Sequence, residues 1–108
     1  MDPINNSGQV NPQDKAIYKQ DFNQSLSLFQ KSLQDFNQSN LPAQKEAFKE
    51  VMRDAMQIMN QTAQLCLDKH AQKQEAMLNS EFQTFLQDAN QENVKKLDSR
   101  AKDLGESV

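Results

Sequence analysis

Tryptophan is absent, cysteine and histidine occur once each, glycine twice and proline three times in 108 residues. One cysteine, Cys66, excludes an intrachain disulfide. Cys66 and His70 are one helical turn apart, but two ligands do not complete a zinc site, and a Cys-His pair without an orienting third group is not a nucleophilic centre. Paired carboxylates such as Glu46 and Glu50, or Glu50 and Asp54, lie among Lys45, Lys49 and Arg53, the pattern of a solvated charged helix face. There is no glycine-rich phosphate loop, serine elbow or zinc-protease helix. The residues therefore specify no catalytic, metal or cofactor site, and the chain is expected not to be an enzyme.

Other absences narrow the partners. No run approaches the ~20 apolar residues of a membrane-spanning helix. Fifteen acidic and twelve basic residues leave a net charge of -3, and no basic run extends beyond Lys95-Lys96, which argues against nucleic acid. The polar faces are amide-rich and mildly acidic, unlike the basic faces of membrane-adsorbed helices. Met1-Asp2-Pro3-Ile4 has no positive n-region or apolar h-region, so the expected location is the cytoplasm, or outside the cell by a route that needs no signal peptide.

What the sequence has in abundance is helix. It contains 16 Gln and 10 Asn, interleaved with charges and with apolar residues at helical spacing, and this identifies solvated helix surface. Residues 1–11 carry no apolar periodicity and are expected to form a flexible tail. Asn11-Pro12 supplies an N-cap followed by proline at the first helical position, with Asp14 in the first turn. The phrase Asp-Phe-Asn-Gln-Ser occurs at Asp21 and again at Asp35, two heptads apart. Tyr18, Phe22, Leu26, Phe29, Leu33 and Phe36 consequently fall within about 80° of arc, a coiled-coil-like seam, while Ile17 and Leu28 lie off it as a minor second patch. Pro42 ends this helix and begins the next, and so short a connection predicts antiparallel neighbours.

From Pro42 to Gly105 no glycine or proline intervenes. The best internal boundary is Asn79-Ser80-Glu81, where Ser80 and Gln83 have capping-box spacing, and Gly105 is the expected stop. The expected fold is all-α: an antiparallel hairpin with a third helical segment, either a three-helix bundle or an elongated coiled-coil-like hairpin, in a single domain over 12–104. Its helices are expected at about 12–39, 42–78 and 81–104, followed by a tail at 105–108. The apolar residues between Ala47 and Leu67 spread over about 200° of arc, twice what one neighbouring helix covers. The missing cover is a third helix seamed by Leu78, Phe82, Phe85, Leu86, Ala89 and Leu97, or another molecule, or both.

Met52, Met56 and Met59 form an adaptable surface of the kind that holds a changeable partner. Together with Phe22, Phe29, Phe36, Phe48, Phe82 and Phe85 they are the expected interface residues. The function that follows is non-enzymatic: assembly with another helical protein as chaperone or adaptor through this Met/Phe-rich face, or self-assembly into a dimer or larger structural unit. A helical hairpin of about this length, joined at Asn40-Leu41-Pro42 and preceded by a polar tail without a signal peptide, resembles the needle-type subunits and small helical chaperones of bacterial type III secretion systems. The resemblance implies a partner inside a secretion apparatus. The chain departs from secreted Trp-x-Gly hairpins, since it has no Trp and no Gly at the turn.

Overall fold

The computed structural model describes residues 11–108, all but a few of them helical. The expected tail at 1–11 lies almost wholly outside the described residues. Helix α1 spans Pro12–Gln38, α2 Pro42–Cys66, α3 Lys69–Gln87 and α4 Gln91–Ser107. The Asn11 side chain accepts the Gln13 N–H at 2.8 Å, so α1 starts at the expected cap. At its far end the Ser39 hydroxyl accepts the Leu41 N–H at 3.3 Å and donates to Gln44 Oε1 at 2.9 Å, which fixes the three-residue connection to α2.

The later helix boundaries differ from expectation. The second helix does not run to 78. It ends at Cys66, because Leu67 takes an extended conformation and Asp68 caps a new helix by accepting the Ala71 N–H at 2.8 Å. The expected break at Asn79-Ser80 is absent: Ser80 sits inside α3, its carbonyl accepting the Thr84 hydroxyl at 3.4 Å, so its capping-box spacing is unused. The real interruption comes at Asp88-Ala89-Asn90. There Asn90 accepts the Asn93 N–H at 2.8 Å while Asn93 Nδ2 donates to the Asp88 carbonyl at 2.6 Å. The segment expected as one helix over 81–104 is thus the end of α3 and most of α4. Gly105 does not stop α4, which continues to Ser107.

Among the described residues four helices pack where three were expected. α1 lies against α2 and α4, and α3 against α2 and α4, while neither diagonal pair brings its backbones together. Consecutive helices run in opposite directions. Tyr18 and Ser25 of α1 share a groove with Leu65 and Ile58 of α2, and Asn37 at the end of α1 accepts from Gln91 at the start of α4 at 3.3 Å. Across the diagonal, aromatic rings fill the centre. Phe29 meets Phe82 at 5.2 Å and Phe36 meets Phe85 at 5.0 Å, both edge to face, geometries worth about 0.5–1.5 kcal/mol beyond their burial. Lys45 closes one end of this column, its Nζ 4.2 Å from the Phe36 ring centre and donating to the Phe36 carbonyl at 3.1 Å.

Candidate functional site

Eight of the nine residues expected at an interface lie in the interior of the chain itself. Phe22, Phe29, Phe36, Met52, Met56, Met59, Phe82 and Phe85 are buried, and Phe48 is half-buried against them. The structure brings them together as one core, because α1 and α3 pack against the broad face of α2 and α4 closes the far side of the same core against α1 and α3. Leu78 and Leu97, from the expected third segment, are fully buried in the same core, with Leu86 and Ala89 partly buried at its edge.

With that face covered, the large apolar side chains left on the surface among the described residues are Ile17, Leu28, Leu41, Ile58 and Leu65. Leu41 belongs to the α1–α2 connection. Ile58 and Leu65 project from α2 about 100° away from the direction of Met59, and line a groove against Tyr18, Asp21 and Gln24 of α1. Its floor is Ser25 and Thr62, both buried, and the Thr62 hydroxyl is already satisfied by donating to the Ile58 carbonyl at 2.8 Å. Ile17 and Leu28, the minor patch of the sequence, are exposed outside this lining, one turn before Asp21 and one turn after Gln24 on the same face of α1. An open channel between two antiparallel helices, with Tyr18, Ile58 and Leu65 as its apolar lining among polar Asp21, Gln24, Ser25, Gln61 and Thr62, matches the form of a third helix.

Cys66 and His70 are separated by the α2–α3 break. Cys66 is buried at the last turn of α2 and His70 is exposed in the first turn of α3, so the shared face that their spacing implied does not exist. Burial pushes the Cys66 thiol up, with Lys19 and Lys15 acting in the opposite direction. The described residues contain no group of three His, Cys, Asp or Glu side chains able to hold a metal. The exposed Glu46 carboxyl is held below its ordinary value, first by its hydrogen bond from Lys49, and Arg53 pairs with Glu50, as in a charged helix face.

One polar group was not foreseen. Glu75 is only 7% exposed, and its Oε2 has no hydrogen-bond partner among the described residues. Desolvation raises its pKa from 4.5 to about 7. The side chain lies on the inner face of α3, in register with Ala71, Leu78, Phe82 and Phe85, and borders a groove toward α2 lined by Gln64, Lys69 and Lys73. The signal was in the sequence: Ala71, Glu75 and Leu78 continue the spacing of the Phe82–Phe85 seam back through a stretch that looked merely polar.

Comparison of the chain with known protein families, with curated proteins and with solved structures finds no match. The functional reading therefore rests on these surfaces alone. No helix among the described residues is long and apolar enough to cross a membrane.

Proposed function

We propose that the protein is a non-enzymatic interaction module, a chaperone or adaptor that holds an amphipathic helix of another protein. The observation that carries this reading is the row of exposed apolar side chains, Ile17, Leu28, Ile58 and Leu65, along one side of the α1–α2 pair. Apolar patches of a few hundred Å² on a small domain are commonly functional. The Met/Phe face serves the same end indirectly, since its packing in the core holds α1 and α2 side by side as antiparallel neighbours, with the groove open between them. In the secretion setting that the hairpin resembles, the captured helix would belong to an exported subunit and capture would take place in the cytoplasm.

The reading is tested by placing a photocrosslinking amino acid at Ile58 in the native host, with a second at exposed Gln83 as control. A discrete adduct at Ile58 and none at Gln83 is the expected result. An adduct whose mass is twice that of the chain would instead favour a self-assembling structural subunit, and adducts of equal distribution at both positions would refute a dedicated surface.

A further inference from the structure

The charges around the α1–α2 groove carry more information than its apolar residues. On α1, Ile17, Asp21, Gln24 and Leu28 share about 60° of arc, with Asp14 one heptad before Asp21 at the same edge. On α2, Asp54, Ile58, Gln61 and Leu65 likewise share about 60°. Asp14, Asp21 and Asp54 are all exposed and make no ion pair among the described residues. The cations of the two helices lie elsewhere. Lys15, Lys19, Lys45, Lys49 and Arg53 all project more than about 100° away from this side, and Lys31, nearest to it, is paired with Asp35 at 3.4 Å. The groove is thus a channel of mixed lining with an apolar stripe at Ile58 and Leu65, with Asp21 in its wall and Asp14 and Asp54 on the same faces of α1 and α2, none of the three in an ion pair among the described residues.

We infer that the occupant of this groove is a basic amphipathic helix: a segment of a partner protein with large apolar side chains at i, i+3/i+4 and i+7 and Lys or Arg on both borders of that stripe. This deepens the adaptor reading and rests on it. The apolar stripe drops between Ile58 and Leu65 on one side and Ile17 and Leu28 on the other, and the flanking cations meet Asp21 and Asp54. A helix seated there packs as a further antiparallel or parallel neighbour to α1 and α2 and leaves the core untouched. The carboxylates act at long range as well, steering a cationic helix toward the groove and repelling an acidic one, so association slows as salt screens them. A second copy of this chain is a poor occupant, because its own groove edges are acidic and would face these carboxylates.

The probes are two fluorescein-labelled amphipathic peptides of identical leucine pattern, one with lysine and one with glutamate at the stripe borders, titrated into the full chain by fluorescence anisotropy. The lysine peptide is expected to bind more tightly by on the order of tenfold at about 0.05 M salt, with the difference shrinking toward unity at about 0.5 M. Ile58→Gln with Leu65→Gln should weaken it by about tenfold or more while helicity and melting temperature are kept, since both side chains are already exposed. Asp21→Asn with Asp54→Asn should abolish the preference between the peptides and leave the residual apolar binding. Equal affinity for both peptides, or binding indifferent to Ile58 and Leu65, overturns the inference. So does a dimer that dissociates on the Ile58 and Leu65 substitutions, which would assign the groove to a second copy. If both peptides fail while the crosslinker at Ile58 still traps a partner, the charge argument falls and the adaptor reading survives; if neither binds, both fall.

Discussion

Raising the pH should destabilise this protein through Glu75, in the direction opposite to that of most carboxylates. The ordinary carboxyl value of 4.5 becomes about 7 in the folded chain because the group is buried, its Oε2 without a hydrogen-bond partner among the described residues. Below pH 4.5 the carboxyl is protonated in both states and the full stability is present. Between pH 4.5 and 7 the unfolded chain releases this proton and the folded chain keeps it, so stability falls by up to about 1.4 kcal/mol per pH unit. Above pH 7 both states are ionised and the loss levels off at ~3 kcal/mol. For a domain of this size that is on the order of 10 °C in melting temperature. The exposed carboxyl of Glu46 works the other way, since its folded value is lowered, but as a surface ion pair it is screened. The assay is urea unfolding followed by helicity at pH 5 and pH 8.5, on the native chain and on Glu75→Gln. The native chain should lose stability between the two pH values, and Glu75→Gln should lose far less and be the more stable of the two at pH 8.5. Equal pH dependence in both proteins, or a native chain more stable at pH 8.5 than at pH 5, would refute the placement of an unpartnered carboxyl in the core.

Removing the caps that divide the second half of the chain, by Asp68→Ala or Asn90→Ala, should each cost about 1 kcal/mol in denaturant unfolding, whereas Ser80→Ala inside α3 should cost little or stabilise. A double-mutant cycle on Phe29 and Phe82 should return a coupling of about 0.5–1.5 kcal/mol, since their rings meet edge to face at 5.2 Å, and a coupling near zero would separate α1 from α3. Cys66 is buried and its thiol is pushed up, so an aromatic disulfide reagent should label it only as fast as the chain opens, with rapid labelling in urea and slow labelling in native buffer.

The parts of the fold that were legible are those with local markers. Asn11-Pro12 marked the start of α1, Pro42 marked the start of α2, and the repeated Asp-Phe-Asn-Gln-Ser phrase placed Phe22 and Phe36 on one buried side. The later boundaries were missed because they are set by single capping side chains, Asp68 and Asn90, with no glycine or proline nearby to announce them. Ser80 and Gln83 had the right spacing for a cap, yet the pull of Leu78, Phe82 and Phe85 into the core keeps the helix running through them. Among candidate functional residues, the composition of the Met/Phe face was legible, as were Leu78, Phe82, Phe85 and Leu97 as one possible cover, but the choice between that cover and another molecule was not. Whether 200° of apolar arc is closed by the same chain or by another depends on where a later segment folds back, which no local pattern encodes. Ile17 and Leu28 stood out as residues off the main seam, but Ile58 and Leu65 were absorbed into the apolar mass of α2, so the groove between them emerged only from the packing.

The central claim is that α3 and α4 close the Met/Phe face within one chain and leave the α1–α2 groove as the free surface. Light scattering coupled to size exclusion, with helicity measured on the same fractions over a hundredfold dilution, tests it most directly. The account expects a monomer that stays fully helical at every dilution. A chain that is helical only as a dimer or larger species, and that loses helix as it is diluted, would show that another molecule supplies the cover and would contradict it.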